Sequence, residues 1–487
     1  MRNDTPSTTT SAKPTRRVPA IIIVGVLCFG SLSAALMQSL VIPIQRELPH
    51  LLDTTASNAS WVVTATLLAS AVTMPIAGRL ADIVGKKPVL IASSLLLVLG
   101  SLVCALSGTL APVLVGRVLQ GMSMGYIPVA ISMVREVAPE RKVNTAVAAV
   151  SATMGVGGAL GLPLAAWIAE EASWNMLFWV SGGLAAAVAV LSLVLLPNPD
   201  DAHPARLDLV GALGLGVALV SVLVAVSKGS EWGWADPKTL GLLAFGVVVA
   251  LLWGWYELRH EAPLVDLRTT AKRPVLMTNL AALLIGFGMM AQAIVVPQLL
   301  EMPGSTGHGL GQTILQAGLW MAPAGLMMLF FAPVSSRLLS GIGARATLAI
   351  GALVLSGGYV LAVFLMGAPW QLTLATCVSS AGVAIGYAAM PTLIMDNVPE
   401  DEAGSSVGVN ALMRSMGTTV AGAVMAAVLA GQSVTVDGAA VPSLTAFQIC
   451  FLAGAIAAAS GAALALLVPR ARKSRAASVV LEAQPAG

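Results

Sequence analysis

Long apolar runs separated by short polar segments make up most of this chain. A membrane-spanning helix needs about 20 mainly apolar residues, and fourteen runs are of that order. Backbone N–H and C=O groups in lipid must be paired within the segment, so the runs predict helices rather than strands. The predicted spans are 18–43, 59–80, 88–108, 110–134, 143–168, 174–196, 208–228, 238–258, 272–300, 311–336, 346–366, 370–396, 404–430 and 445–468.

The seventh and eighth runs stand apart from the others. The segment PNPDDAHPARLD precedes this pair, and the polar segment SKGSEWGWADPK separates its two members. The pattern predicts an N-terminal six-helix bundle, a two-helix insertion and a C-terminal six-helix bundle, with a disordered cytoplasmic tail before them and a cytoplasmic tail after them. The corresponding ranges are 18–196, 197–265, 266–468, 1–17 and 469–487.

Charge patterning supports a membrane protein and predicts its orientation. Only 10% of the residues are charged, against about 25% in soluble domains. With both termini in the cytoplasm, nearly all Lys and Arg fall on the inner side, as membrane topology favours. The exceptions are Arg46, Lys228 and Lys238 outside, and Arg117 and Arg414 within helices. The net charge of +3 therefore gives no reason to expect a nucleic-acid partner.

Residue patterns typical of enzymes are missing from the sequence. The four cysteines lie inside apolar runs without C-x-x-C spacing, and the four histidines are scattered in predicted loops or helix ends. No G-x-x-x-x-G-K-[ST] segment is present, which disfavours ATP-driven transport. We therefore expect no enzyme activity, no metal and no cofactor.

A short hydrophilic hinge, GRLADIVGKKP, joins the second and third runs. Its glycines permit close helix approach and a tight turn, and Asp82 can accept hydrogen bonds from a helix N-terminus or pair with an arginine. The hinge resembles the G-x-L-x-D-x-x-G-[RK]-[RK] loop of the major facilitator superfamily; otherwise it is an ordinary basic inner loop. The resemblance implies the major facilitator fold and a conformational latch formed by Gly78, Arg79, Asp82, Gly85, Lys86 and Lys87.

A degenerate second copy of the hinge occurs at the matching place in the second half. Residues 333–345, PVSSRLLSGIGAR, retain Gly343 and Arg345 but place Arg337 where Asp82 is expected. Internal repeats of this kind are typical of transporters.

The fourth and fifth runs carry two further patterns. LVGRVLQGMSMG resembles the R-x-x-Q-G motif, which implies proton coupling by Arg117; the alternative is a structural arginine that binds neighbouring carbonyls. GVGGALGLPLAA resembles the antiporter motif G-x-x-x-G-P-x-x-G-G through Gly157, Gly161 and Pro163, although Pro163 comes one position late. A plain glycine packing seam is the alternative there.

Two weaker matches, SWNMLFWVSG and RLDLVGA, resemble the starts of helix 6 and of the extra helix pair. With the helix count, they indicate similarity to the fourteen-helix drug:proton antiporters of the EmrB and QacA type. That similarity implies a monomer in the cell membrane, with small lipophilic substrates, protons and membrane lipid as its partners. The proton gradient would supply the energy.

One departure from that family bears on the substrate. Its members often have an aspartate in helix 1, in a pattern like L-D-x-T, whereas this chain has Leu36-Met37-Gln38-Ser39. No acid occupies the middle third of any predicted helix, while Arg117 and Arg414 are predicted to be buried. By simple electrostatics, this interior should favour neutral or anionic amphipathic substrates over dicationic ones.

Polar residues within the apolar runs are the candidate substrate-binding groups. Asn410 and Arg414 share one helix face because they are four residues apart. Interhelical hydrogen bonding is the alternative role for this set. Glu301 and Asp396 are candidates for proton coupling or, alternatively, solvated helix-end acids. The full substrate-binding set is Gln38, Tyr126, Gln292, Gln298, Tyr387, Asn410 and Arg414.

Three functions remain open at this point. The first is proton-driven export of lipophilic drugs or antibiotics by alternating access. The second is a facilitator or importer of a small metabolite on the same fold. The third, a membrane enzyme or lipid-handling protein, has no residue constellation in its favour.

Overall fold

The computed structural model describes residues 18–42, 44–45, 47–197, 205–436 and 439–469. Within these ranges it contains fourteen helical spans long and apolar enough to cross a membrane. The predicted tails at 1–17 and 470–487, Arg46, and linker residues 198–204 lie outside the described residues. The α-helices are α1 (Ala20–Ser39), α2 (Leu48–Leu51), α3 (Ala56–Val84), α4 (Lys86–Ala105), α5 (Leu110–Met122), α6 (Tyr126–Val137), α7 (Val143–Glu171), α8 (Met176–Leu195), α9 (Leu209–Trp232), α10 (Pro237–Glu257), α11 (Leu267–Ala271), α12 (Arg273–Glu301), α13 (Ile314–Gly341), α14 (Ala344–Phe364), α15 (Pro369–Tyr387), α16 (Ala389–Met395), α17 (Ala403–Gly431) and α18 (Leu444–Leu467).

The fourteen predicted runs correspond one to one to these spans. Two runs are divided: α5 and α6 form one span around a 3-10 turn at Ser123–Gly125, and α15 and α16 form another. The ends differ from the predicted ones by at most five residues, the largest difference being the extension of α13 to Gly341. The length of an apolar run predicts that a spanning helix exists, whereas the residues at which the helix begins and ends also depend on neighbouring helices.

A small antiparallel hairpin between α17 and α18 departs from the all-helical prediction. Its strands are β1 (Ser433–Val436) and β2 (Ala439–Pro442), with Val434 opposite Val441. Each strand is only four residues long, too short to stand out among longer apolar runs.

The largest buried apolar cluster includes residues of both six-helix bundles, and the insertion also contacts both bundles. A separate buried cluster combines Leu68 of α3, Leu219 of α9, Leu264 of the loop after α10 and Leu412 of α17. Helix α9 thus lies over the seam between the two bundles. Helix α10 packs on α9 and keeps most of its own surface exposed.

The internal repeat is visible in the backbone. Gly85 precedes α4 with φ 90°, and Gly343 precedes α14 with φ 84°. Both positions favour glycine, because a Cβ is strained at such dihedral angles. When the two glycines are aligned, Ser340 corresponds to Asp82 and Arg337 corresponds to Arg79. The predicted correspondence between Arg337 and Asp82 is therefore wrong by three residues.

Candidate functional site

The carboxylate of Asp82 joins the two bundles at the end predicted to be cytoplasmic. Asp82 lies near the end of α3 and is only 2% exposed. Its Oδ1 accepts the N–H of Gly404 at 3.0 Å, and its Oδ2 accepts the N–H of Ser405 at 2.8 Å. These amides belong to the first turn of α17, where N–H groups have no partner within the helix and the helix dipole favours an anion. Asp82 therefore caps a helix of the opposite bundle.

Gly78, one turn before Asp82, allows this close approach. A Cβ added to Gly78 would lie 2.2 Å from the carbonyl oxygen of Gly404, and one added to Gly404 would lie 2.5 Å from Asp82 Oδ1. The obstructing atoms on Gly404 belong to the backbone and cannot rotate away. The two glycines are thus a steric requirement of the capped state.

The other residues of the hinge lie within or near the N-terminal bundle. Lys86 is buried and forms an ion pair with Glu136 near the end of α6. Gly85 provides the turn between α3 and α4, while Arg79 and Lys87 are half-buried. The structure therefore brings all six predicted residues to one end of the bundle, but only Gly78 and Asp82 are shown to contact the opposite bundle.

Further hydrogen bonds join the bundles at the same end. Arg135 donates to the carbonyl of Met395 at 2.5 Å. The hydroxyls of Thr145 and Ser336 lie 2.7 Å apart, and the Asn144 amide donates to Ser340 at 3.4 Å. These contacts and the capping of α17 hold the bundles together on the side predicted to face the cytoplasm.

Arg117 of α5 is enclosed by protein and 1% exposed. Its Nε donates to the carbonyl of Val62 at 3.0 Å, and its Nη1 donates to Gln120 Oε1 at 2.7 Å. Nη1 also lies 3.4 Å from the sulfur of Met37, at the position where the antiporter pattern has its aspartate. No ion pair to Arg117 occurs among the described residues. This environment is the one expected of a structural arginine.

The glycines of the predicted antiporter motif pack α7 against α1. A Cβ on Gly157 would lie 2.6 Å from the carbonyl oxygen of Leu32, and one on Gly161 would lie 1.9 Å from Ser39 Oγ. Ser39 also donates to the carbonyl of Gly157 at 3.3 Å. Pro163 lies inside α7, eight residues before its last residue, Glu171. The geometry is that of a tight packing seam.

Arg414 and Tyr387 form a pair near the middle of the C-terminal bundle. The guanidinium carbon of Arg414 lies 4.5 Å from the centre of the Tyr387 ring. The Tyr387 hydroxyl points to Met154 of the other bundle, with its oxygen 3.3 Å from the sulfur. Gln292 donates to Ser380, two turns before Tyr387, at 3.1 Å. Three predicted substrate-binding residues therefore lie on facing parts of α12, α15 and α17.

The remaining predicted substrate-binding residues have other surroundings. Asn410 is 1% exposed and donates to Asn279 of α12 at 2.9 Å, as expected for interhelical bonding. Tyr126 is buried beside Gly30. Gln38 is exposed near the end of α1, and Gln298 is half-buried near the end of α12.

The two acids predicted for proton coupling lie at helix ends, whereas Arg117 lies within α5. Glu301 is the last residue of α12, and Asp396 directly follows α16. Asp396 is exposed, while Glu301 is half-buried. Neither makes a contact with Arg117 in the described part of the chain.

Sequence reasoning missed two polar clusters in the insertion. Asp208 caps α9 through the Gly211 N–H at 2.8 Å and also accepts the Tyr256 hydroxyl at 3.1 Å. Glu257, 2% exposed, lies beside the same glycine. The position of Asp208 before an apolar run signals a helix cap. Glu257 is the last residue of α10, forty-nine residues later, and only the packing of α10 on α9 brings it to Asp208.

The second cluster surrounds Lys228, which the charge pattern places on the outer side at the end of the predicted span 208–228. In the structure it lies inside α9 and is 3% exposed. Its Nζ donates to Ser60 Oγ at 2.6 Å, to Glu231 at 2.8 Å and to the carbonyl of Ser57 at 3.1 Å. No pattern in the sequence indicates this burial, because Ser57 and Ser60 at the start of α3 are distant in the chain.

A family model described as Major Facilitator Superfamily matches residues 27–422. The chain belongs to this superfamily. It is therefore a multi-pass membrane protein of a transporter family rather than of an enzyme family, and the predicted two-bundle fold with two extra helices is confirmed.

The curated relatives are transporters. An uncharacterized one from Mycobacterium tuberculosis is 30% identical over 311 residues, which are 62% of this chain and 45% of the relative. The chain therefore covers less than half of that protein's length. The multidrug resistance protein Stp of M. tuberculosis is 27% identical over 376 residues, 76% of this chain and 68% of Stp. The multidrug transporter protein MdtP of Bacillus subtilis is 23% identical over 382 residues, 77% of this chain and 69% of MdtP.

Two solved structures share the fold. The human organic anion transporter TETRAN has a TM-score of 0.65 and 17% identity, with 92% of this chain and 99% of that chain covered. The proton:xylose symporter XylE has a TM-score of 0.61 and 14% identity, with coverage of 90% and 94%.

Proposed function

We propose that this transporter exports small lipophilic compounds in exchange for protons by alternating access. It favours neutral or anionic substrates over dicationic ones, acts as a monomer in the cell membrane, and has no nucleic-acid partner and no cofactor other than the proton gradient. The observation that carries the mechanism is the capping of α17 by Asp82. Relatives named as multidrug resistance proteins support drug export.

Alternating access needs two states that differ in contacts between the bundles. The Asp82 carboxylate stabilises the state that is closed at the end predicted to be cytoplasmic, because it neutralises the first turn of α17 only while the bundles touch. When this end opens, Asp82 and the amides of Gly404 and Ser405 must separate. Asp82 therefore biases the equilibrium without contacting substrate.

Electrostatics support the substrate preference. The described spans place Arg117 and Arg414 deep in the bundles, and neither forms an ion pair with a described carboxylate. A dication entering beside these charges would be repelled, whereas a neutral compound would not. For proton coupling, Arg117, Glu301 and Asp396 remain the proposed residues, and the enclosure of Arg117 restricts it to an indirect role.

The test is substrate-induced proton movement in energised inverted vesicles. Matched neutral, anionic and dicationic lipophilic drugs would be added to vesicles with wild-type protein or Asp82→Asn. We expect neutral and anionic drugs to dissipate the pH gradient in wild type, and Asp82→Asn to lose most of this signal at equal expression. Equal responses to the dicationic drugs would contradict the preference.

A facilitator or importer is the second candidate function. It is favoured by Met37, which replaces the carboxylate of the antiporter pattern next to Arg117, and by the displaced Pro163. Substrate that equilibrates across the vesicle membrane without any change in the pH gradient would establish it in place of export.

A further inference from the structure

We propose that the guanidinium of Arg414, supported by the ring of Tyr387, binds the carboxylate of an organic-acid substrate. The inference rests on the proposed transport of small lipophilic compounds and specifies one substrate class and its binding point. It is independent of transport direction and of proton coupling.

Arg414 lies about halfway across the membrane. It is the twelfth residue of α17 (Ala403–Gly431), about 17 Å from the helix start at about 1.5 Å per residue. The hydrocarbon core is about 30 Å thick. An ionisable residue at this depth is costly and is typical of substrate or ion pathways.

The charge of Arg414 has no counter-ion in the part of the chain that the structure describes. Among the residues that the structure describes, no carboxylate lies within ion-pair distance of it. Its charge rests on the Tyr387 ring, 4.5 Å away, and such an arrangement stabilises a cation through the face of its planar group. The Arg414 side chain also hydrogen-bonds Tyr387, and no other described residue accepts from its guanidinium, which leaves N–H groups for a bond to a carboxylate.

Arg117 and Arg414 differ in their exposure and in how many of their N–H donors are occupied. Arg117 is 1% exposed, and Val62, Gln120 and Met37 occupy its donors. Arg414 is half-buried. Among the described residues, its guanidinium contacts only Tyr387. Of these two arginines, only Arg414 can be reached by a solute.

The position of Arg414 is rigid and lies close to the opposite bundle. Gly286 of α12 allows the backbones to touch at this level, since a Cβ there would lie 2.3 Å from the Arg414 carbonyl oxygen. Tyr387 is 3% exposed and reaches Met154 of the N-terminal bundle. A carboxylate on Arg414 therefore lies next to a contact that must change when the bundles move.

The experiment measures binding to the purified full-length transporter in detergent. The probes are three lipophilic carboxylic acids and their primary amides, with pyrenebutyric acid and its amide as the fluorescent pair. Wild type is compared with Arg414→Gln and Arg414→Lys. Arg337→Gln, an exposed arginine on α13, is the matched control for loss of a positive charge.

We expect wild type to bind each acid more tightly than its amide. Arg414→Gln should weaken acid binding about tenfold or more, as loss of a charged hydrogen bond does, with less than a twofold change for the amides. Arg414→Lys should retain part of the acid preference, because it keeps the charge but loses the bidentate fork. Arg337→Gln should leave the preference unchanged.

Two results would overturn the inference. One is a wild type without preference for the acids; the other is an equal loss of acid and amide binding in Arg414→Gln, which a structural role predicts. If the acid preference depends on Arg414 but no compound moves protons in vesicles, the binding site stands and the proposed antiport fails.

Discussion

Two arginines with similar sequence contexts, Arg117 and Arg414, have different partners in the structure. Arg117 and Arg414 look alike in sequence, since each is a lone charge within an apolar run. Arg117 is enclosed by carbonyl, amide and sulfur atoms, whereas Arg414 has Tyr387 as its only partner among the described residues. Their depth could be predicted from sequence, but their partners could not, because these come from helices distant in the chain.

The close contact between Gly78 and Gly404 leads to a testable prediction. Gly78→Ala would push a Cβ to within 2.2 Å of the Gly404 carbonyl oxygen, and such overpacking costs about 1–3 kcal/mol. Because the clash exists only while the bundles touch, the cost falls on the closed state alone. We expect the substitution to shift the transporter toward the state open at the predicted cytoplasmic end.

Double electron–electron resonance would measure this shift, with spin labels at Glu140 and Arg337, both exposed at that end, after replacement of the four cysteines. Gly341→Ala is the control, because a Cβ there meets no atom within 4 Å. Unchanged label distances in Gly78→Ala would show that α3 and α17 can separate slightly without opening.

At the scale of elements, the two halves use the same joint with different chemistry. Asp82 contacts the first turn of α17 at Gly404 and Ser405, and its counterpart Ser340 contacts the first turn of α7 at Asn144. The glycine turns at Gly85 and Gly343 preserve the register. The first joint is therefore a charged cap on helix backbone N–H groups, whereas the second is a contact between the neutral side chains of Ser340 and Asn144.

Ser340→Asp should convert the second joint to the chemistry of the first. An anion at an exposed helix N-terminus contributes about 0.3–1 kcal/mol, so we expect the closed state to be favoured about two- to fivefold. The same spin-label distances, with the second label moved to Gly341, would report it. Ser340→Asn, of similar shape but without charge, should leave the populations near those of wild type, and an equal shift in both variants would contradict a charge effect.

The elements themselves were predictable because a membrane imposes one strong requirement, an apolar stretch of sufficient length. The alignment of the repeats was not, since only the dihedral angles of Gly343 reveal which residue faces α7. The hairpin of β1 and β2 was missed for a related reason. Four-residue strands depend on their partner rather than on their own periodicity.

For the whole molecule, the insertion is bound more firmly to one bundle than to the other. Lys228 donates three hydrogen bonds to its surroundings, two of them to α3, whereas the packing of α9 on α17 is apolar. Hydrogen bonds require fixed partners, but apolar surfaces can slide. We therefore expect the insertion to move with the N-terminal bundle during the transport cycle.

Lys228→Met should weaken this attachment. It leaves Ser57, Ser60 and Glu231 without their buried donor, at a cost of about 1–3 kcal/mol. Thermal unfolding of the purified protein should show a lower midpoint, while Lys238→Met, at an exposed site, should not. Equal midpoints for the two variants would mean that apolar packing alone holds α9 in place.

The contribution of the Lys228–Glu231 contact to stability should depend on pH. Hydrogen bonds from Lys228 and Ser57 lower the pKa of Glu231. A depressed folded-state pKa contributes stability above the unfolded pKa, and the contribution is lost as the pH falls through the folded value. The difference in unfolding midpoint between wild type and Lys228→Met should therefore shrink as the pH is lowered into that acidic range.

Helix α10 has a consequence that concerns the lipid rather than the solute. Its 21 residues extend about 31 Å at about 1.5 Å per residue, nearly the thickness of a hydrocarbon core, and large apolar side chains such as Leu251 and Trp255 lie exposed along it. Hydrophobic mismatch is relieved by tilting, at a modest free-energy cost per ångström. Helix α10 packs on α9, and α9 lies over the seam between the bundles. A change in bilayer thickness that tilts α10 should therefore also act on the contact between the two bundles. We therefore expect acyl-chain length to affect the transport cycle through the insertion.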